Sequence, residues 1–409
     1  MKNPAYTKKH WFVLIAVAMM MGSSLGLLTN GNGVFFAPMA RNLNVPLGSI
    51  SLHTTFKAFS TAFVALTIPQ FIERFGHKKL LFVGVAAGTL GTFFMGYAEN
   101  LPTIYILGAI RGIGTAYYSL VPMAMILTRW FDKKIGLATG LASGTSGIIG
   151  SIFAPILTLL IESIGWRYAF FVKSLFILLL GLPILLLPFE LDPTDEQLLP
   201  YGYENNEKDS GSLRVPVKNI GSLNVVLIIL LLVSFLNTFI IYMNSHFPGY
   251  GESVGLSPER ASLMLSAAMI GNLVWKAIYG LLSDWMGPVN SAIMMTSIPF
   301  LAILSMILFQ EPILLIVSSF FFGGTFAISG VALPLLSNYY FGPVTGGKVF
   351  AKVNFLSAFG GAIGVAVTGY IFDYTGSYVP AFIIALAFFA INGCLLFAAS
   401  IYFKKHTLS

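Results

Sequence analysis

Four basic residues stand inside apolar stretches of this 409-residue chain: Lys57, Arg111, Lys173 and Lys276. Lys276 lies in Ser262–Asp284, SLMLSAAMIGNLVWKAIYGLLSD, eight positions before Asp284. That spacing is about 12 Å of helix, and about 20 apolar residues cross a hydrocarbon core of roughly 30 Å. An ammonium at such depth costs at least about 2.5 kcal/mol, so it faces protein and not lipid. Asn272 sits one helical turn away on the same face. Arg111, in GAIRGIGTAYY, has small neighbours that leave room for a ligand, and Tyr117 and Tyr118 follow it. Lys57 and His53 form an i, i+4 pair and are the candidates for moving a proton. Lys173, six residues past Arg167, reads as a lysine reaching back to the interface. All 16 acids fall in loops, in a polar linker or at helix ends. Four cations without a carboxylate in the same stretches leave positive charge for a group from outside the chain. An anionic ligand is the economical answer.

Polar side chains suited to lining such a site recur in the apolar runs. Asn30 and Asn32 lie in LLTNGNGVFF, where glycine permits unwinding or close backbone approach. Asn237 and Asn244 share a face further on, and Asn354 and Ser357 follow near the end of the chain. Asn30, Asn354, Asn272, Tyr117 and Tyr118 join Lys276 and Arg111 as candidate substrate contacts, since a small-anion pocket needs few polar groups and apolar walls. Metal-ligand clusters, a phosphate-binding glycine loop and a nucleophile elbow are missing from the sequence, so it points to no metal, cofactor or enzyme activity.

The elements that must hold these residues are membrane helices. Hydrophobic residues make up 56% of the chain and charged ones only 10%, against about 25% in soluble domains. Apolar runs predict helices over 11–37, 49–72, 80–98, 103–128, 135–161 and 168–188. A second set covers 221–246, 259–283, 290–309, 312–338, 348–372 and 378–403. The expected domains are an N-terminal six-helix bundle (1–188), a cytoplasmic linker (189–220) and a C-terminal six-helix bundle (221–409). With both termini in the cytoplasm, sixteen basic residues fall inside and three outside, namely Arg41, Arg167 and Arg260. The net charge of +7 therefore reflects membrane topology rather than nucleic-acid binding. The first apolar run is too long for a signal-peptide core and is kept as a helix. The single cysteine, Cys394, excludes a disulfide framework within one chain.

The halves repeat at an offset of 210 to 212. ERFG at Glu73–Gly76 answers DWMG at Asp284–Gly287, Phe131–Gly136 answers Phe341–Gly346, and Pro122 answers Pro334. Such a parallel repeat predicts two bundles related by an axis along the membrane normal, with substrate at the midplane.

Twelve spans as six plus six, with a basic loop after helix two and its echo after helix eight, resemble the major facilitator superfamily. The resemblance implies alternating access, with the loops carrying Glu73, Arg74, Gly76, Arg129, Asp284 and Gly287 latching the cytoplasmic side. GLLSDWMG from Gly280 keeps the superfamily's glycines and acid but lacks its basic pair. PQFIERFGHKK keeps the pair but has Pro69 for the glycine and Glu73 for the acid. Within the superfamily, GVFFAPM at Gly33–Met39, RWFDKKIGLATGLASG at Arg129–Gly144 and the basic residue at 276 look like the monocarboxylate-transporter and oxalate/formate-antiporter branch. There the equivalent of Lys276 is an arginine that holds the substrate carboxylate. Lysine makes the fork a point charge, Asn272 stands where animal members have an aspartate, and their first-helix lysine aligns with Asn30. The helix-eleven lysine of the oxalate exchangers falls about at Val353, one position from Lys352.

The expectation is a secondary transporter of small organic monocarboxylates, by proton symport or anion exchange, embedded in the cell membrane. Two alternatives stay open: a drug or cation effluxer, which would want buried acids, and a non-transporting sensor, which would want an output domain.

Overall fold

The computed structural model describes residues 7–203 and 220–407. The middle of the polar linker, 204–219, lies outside them. The described chain is helical almost throughout, and ten of its helices are long and apolar enough to cross a membrane. In chain order, α1 is Lys8–Leu43, α3 His77–Met95 and α4 Leu101–Trp130. The 50-residue stretch Leu137–Leu186 holds two helices, since Gly165 (φ 82°, ψ 158°) turns the chain between α5 (135–164) and α6 (166–186). A non-glycine residue would be strained at that φ. After the linker come α7 (Asn224–Ser253), α8 (Pro258–Met286), α9 (Pro288–Leu308), α10 (Pro312–Gly342), α11 (Val349–Thr375) and α12 (Val379–Phe403). The remaining helix, α2, runs over Leu47–Ala65 and Ile68–Phe75 and is the most polar, carrying His53, Lys57 and several hydroxyls. This is the twelve-helix, two-bundle architecture read from the sequence.

The repeat persists in the backbone. Gly76 (φ 83°) and Gly287 (φ 82°), 211 positions apart, end α2 and α8 with the same turn, and Gly165 and Gly376 (φ 67°) occupy matching places after α5 and α11. Both α1 and α7 leave α-helical geometry near the same depth, over Asn30–Asn32 and Met243–His246. In α4 the helix breaks at Tyr118 and Ser119, and in α10 a wide π-type turn occupies Ile328–Ala332 at the equivalent place.

By packing, one unit comprises Met1–Leu43 with Phe56–Ser210, and the other Asn44–Thr55 with Gly211–Ser409. Residues 44–55, which the apolar pattern assigned to the first bundle, therefore belong with the second. Within that unit the Asp373 carboxylate accepts from the backbone N–H groups of Leu47 (2.8 Å) and Gly48 (2.6 Å). A carboxylate there satisfies orphan donors at a helix start and complements its dipole. The Ser51 hydroxyl donates to the Val365 carbonyl at 3.3 Å.

The first unit is centred on Val13, Val17, Met20, Val85, Tyr118, Leu127, Trp130 and Ile177, all buried. The described start of the linker folds onto it. Lys9 pairs with Glu196, Lys78 with Glu190 at 2.8 Å, and Tyr201 N–H donates to the Trp130 carbonyl at 2.8 Å. The hydrogen bond from Lys78 holds the Glu190 carboxyl below the usual range. In the second unit, Val226, Leu230, Val233, Tyr279, Met295, Ile328 and Leu336 form the core.

Candidate functional site

The intramembrane cations divide between the units, three in the first and one in the second. In the first they converge on the break in α1. Past Leu28 the chain turns through Thr29 and the short 3-10 segment Asn30–Asn32 before Gly33 restarts the helix. The NGNG sequence explains the break, because glycine and asparagine are poor helix formers and tolerate unwinding. A break in a membrane helix frees carbonyls that must find donors.

The cations are those donors. Arg111 Nη2 donates to the Leu28 carbonyl at 3.2 Å and to Asn32 Oδ1 at 2.6 Å. Lys173 Nζ donates to the Gly31 carbonyl at 3.0 Å and to the same Asn32 Oδ1 at 2.9 Å. Asn32 Nδ2 returns a bond to the Leu28 carbonyl at 3.0 Å, and Lys57 Nζ donates to the Thr29 hydroxyl. Lys173 lies over the Phe35 ring at 4.8 Å, a cation–π contact. Arg111 and Lys173 are fully buried and Lys57 nearly so. The Nε and Nη1 atoms of Arg111 have no hydrogen-bond partner. Among the described residues, none of the three cations pairs with a carboxylate.

This corrects the reading of Lys173 as an interfacial lysine. Distance from Arg167 along the chain says nothing about what α1 offers across the bundle, and the freed Gly31 carbonyl decides the position. The tyrosines lie elsewhere. Tyr118 is buried in the core with its hydroxyl 3.3 Å from Ser23 Oγ. Tyr117 packs on Phe71 with ring centroids 5.1 Å apart and its hydroxyl near Thr67. Neither joins the hydrogen bonds of the cation cluster. Asn30 is half-buried beside it in sequence, and Asn32, its neighbour by two, makes the bonds.

In the second unit Lys276 is half-buried on an unbroken stretch of α8. Its tail runs beside Gly330 in the π-type turn of α10, where a Cβ would fall 2.8 Å from Cε and 3.3 Å from Nζ. Among the described residues Lys276 makes no hydrogen bond or ion pair. Asn272, one turn away, is buried with its Oδ1 unpartnered. Asn237 Nδ2 donates to the Thr325 carbonyl at 3.1 Å and to Ser329 Oγ at 2.8 Å, tying α7 to α10. Asn354 is exposed on α11. Near the start of α2, His53 is buried with Nδ1 2.7 Å from the Ile50 carbonyl.

Helices come together tightly around both sets. In the first unit a Cβ on Gly112 would lie 2.3 Å from the Lys57 carbonyl oxygen, so α2 crosses α4 backbone to backbone beside Lys57. In the second, a Cβ on Gly271 would lie 2.0 Å from the Phe320 carbonyl oxygen and one on Gly323 2.6 Å from Gly271 Cα, where α8 crosses α10. Gly112 and Gly323 are equivalent by the repeat. Glu73, Arg74, Arg129 and Asp284, read from the sequence as loop residues, are exposed in the last turns of their helices, and Gly76 and Gly287 supply left-handed turns after two of them.

Two repeated six-helix bundles, with cations within their spans, define a multi-pass membrane transport protein. The sequence pattern of the Major Facilitator Superfamily matches residues 12–365, and the chain belongs to that superfamily. Monocarboxylate transporter 13 of Rattus norvegicus is 25% identical over 409 residues, covering 98% of this chain and 91% of that protein. The oxalate:formate antiporter of Oxalobacter formigenes is 24% identical over 372 residues, covering 87% and 84%. Among solved structures, a mutant form of the nucleoside transporter NupG superposes with a TM-score of 0.74 at 12% identity, covering 95% of this chain and 99% of that one. A bacterial homolog of the human lysosomal transporter Spinster also gives 0.74, at 15% identity and 98% and 99% coverage. At those identities the likeness is one of fold.

Proposed function

We propose that the chain is a secondary transporter of small organic monocarboxylate anions, working by alternating access in the cell membrane with both termini in the cytoplasm. The observation that carries this reading is Lys276: an ammonium set in a membrane helix with no acceptor of its own among the described residues. Such a charge is stable when a ligand carboxylate completes it. Asn272, with a free amide oxygen one turn away, is positioned for a hydroxyl or a protonated carboxyl of the same ligand. Within the first unit Arg111 is a second candidate contact for an anion, with Asn30 two positions from its partner Asn32, and Asn354 is a further polar candidate in the second unit. The Tyr118 and Tyr117 hydroxyls lie instead near Ser23 and Thr67. His53 and Lys57 are the proton-coupling candidates, and protons or a counter-anion supply the driving gradient. Glu73, Arg74, Gly76, Arg129, Asp284 and Gly287 form the cytoplasmic gate loops. The names of the relatives favour carboxylate cargo, and the surplus of buried cations over buried acids favours the same sign.

The test is counterflow in proteoliposomes. Labelled lactate, pyruvate and formate should exchange, with and without a pH gradient, and quaternary ammonium dyes should not. Robust efflux of cationic dyes with no response to any carboxylate would overturn the reading.

A further inference from the structure

The charge in the first unit is larger than its hydrogen bonds account for. Arg111 and Lys173 answer the carbonyl end of a half-helix, which carries roughly −0.5 of an elementary charge. Against it stand three cations, two of which share the single oxygen Asn32 Oδ1. About 2.5 positive charges are left over, and no described carboxylate pairs with them. Two of the guanidinium nitrogens of Arg111 are buried without a partner. The repeat sharpens the point. At positions equivalent to Lys57, Arg111 and Lys173 the second unit has Ala268, Phe322 and Ile384, and it keeps a comparable break in α7 without them. Three cations are therefore more than the fold needs to hold a broken helix.

We propose that the first unit holds a small anion of its own, a carboxylate or halide, against Lys57, Thr29 and Arg111. The cluster opens there. Thr29 and Asn30 are half-buried and Lys57 is 5% exposed, while Lys173 and Arg111 behind them are sealed. An anion entering at Thr29 takes the Lys57 ammonium from the hydroxyl and draws the free N–H groups of Arg111 toward it, with Asn32 keeping the other face of the guanidinium in place. Lys173 stays on the Gly31 carbonyl and adds its charge from behind. This site is distinct from Lys276. It rests on the same reading of the chain as an anion carrier, and it accounts for a cluster that a single carboxylate at Lys276 leaves unused.

The experiment is thermal unfolding of the purified full-length protein in detergent, titrated with sodium formate or sodium chloride and with ionic strength held constant by sodium sulfate. Wild type should be stabilised at saturation by one or both salts. Formate acting at lower concentration than chloride identifies a carboxylate, and equal action identifies a general small-anion site. Lys276→Gln should lose only what its own site contributes and keep the part of the stabilisation that depends on Lys57. Lys57→Gln should raise the half-maximal anion concentration at least tenfold, and Lys173→Gln should do so to a smaller extent. Arg111→Gln is read only if it folds, since it also caps α1. Stabilisation lost in Lys276→Gln and kept in Lys57→Gln moves the site to the second unit and overturns the proposal, while leaving carboxylate transport standing. Lowered baseline stability with an unchanged anion response in Lys57→Gln and Lys173→Gln makes the cluster purely structural and also overturns it. So does the absence of any anion effect on wild type. Failure of the transport reading shows separately, as absent carboxylate counterflow by wild type.

Discussion

The two units are built on one backbone plan and furnished with opposite chemistry. Left-handed glycines recur at Gly76 and Gly287 and at Gly165 and Gly376, and the tight crossing at Gly112 has its counterpart at Gly323. Over that shared frame the first unit buries three cations and ties each to a hydrogen-bond acceptor. The second holds one, half-buried, at a position where the first has Ala65, and leaves it without an acceptor among the described residues. Backbone satisfaction is a demand that the membrane makes on both units. Cations are not tied to it by position, because α7 is broken as well while the second unit has Ala268, Phe322 and Ile384 where the first has Lys57, Arg111 and Lys173. What differs between the units is therefore the part available for selection by ligand chemistry. A charge held by backbone carbonyls is preorganised, and a charge without an acceptor awaits one.

The largest expected effect breaks that comparison at its clearest point. Lys276→Gln and Lys276→Ala should reduce carboxylate uptake at least a hundredfold, equivalent to about 2.7 kcal/mol of lost binding, with thermal stability near wild type. Arg111→Gln should differ in kind. It removes charged donors from two buried acceptors, and hydrogen bonds to charged groups contribute about 1.5–3 kcal/mol each, so stability as well as uptake should fall. Melting curves alongside uptake separate the two. Normal uptake by Lys276→Gln, or an Arg111→Gln protein as stable as wild type, would erase the distinction.

Next come the crossings. Gly112→Ala and Gly323→Ala both drive a methyl group into backbone, and overpacking of this kind costs about 1–3 kcal/mol. Similar losses from the two would show that the repeat extends to energetics. A variant at either site that is as stable as wild type would mean that the helices slide apart freely there.

Much of this plan was legible in the sequence, for identifiable reasons. Membrane helices declare themselves by composition, the repeat by the spacing of ERFG and DWMG, and the uneven count of intramembrane charges by inspection. Lys173 and Tyr118 were not legible, because each is decided by a partner far away in sequence. Lys173 reaches the Gly31 carbonyl, which exists as an acceptor only because α1 is broken, and Tyr118 turns inward because α4 breaks at that residue. The weakness of LLTNGNG as a helix was visible, but what would satisfy it was not. Residues 44–55 show the same limit, since apolar pattern assigns them to a helix and packing assigns them to a unit.

A milder substitution tests charge against shape. Lys276→Arg keeps the charge but presents a planar fork in place of a point charge. Uptake should persist, with the ratio of formate to lactate uptake shifted by a few-fold. An arginine variant as dead as Lys276→Gln would mean that the site needs the compact ammonium.

The smallest effect should come from Gly330, which leaves space beside the Lys276 tail. A methyl group at this position would sit 2.8 Å from Cε and 3.3 Å from Nζ, too close for the side chain to stay where it is. The colliding atoms are the far end of a flexible chain and not backbone, so Lys276 can yield at little cost. Gly330 lies within the π-type turn Ile328–Ala332 and is not among the glycines with positive φ, so alanine brings no left-handed backbone strain. Folding should therefore be nearly unchanged in Gly330→Ala, while the ammonium is displaced from its resting place. If that ammonium binds the substrate, KM should change by a few-fold and the maximal rate should stay close to wild type, because displacement alters binding without removing the charge. The equivalent position in the first unit is Ser119, with Ala65 standing where the second unit has Lys276, and Ser119→Ala should leave KM alone. An unchanged KM in Gly330→Ala, with Lys276→Gln still inactive, would mean that the substrate meets Lys276 only after the side chain has swung away from α10.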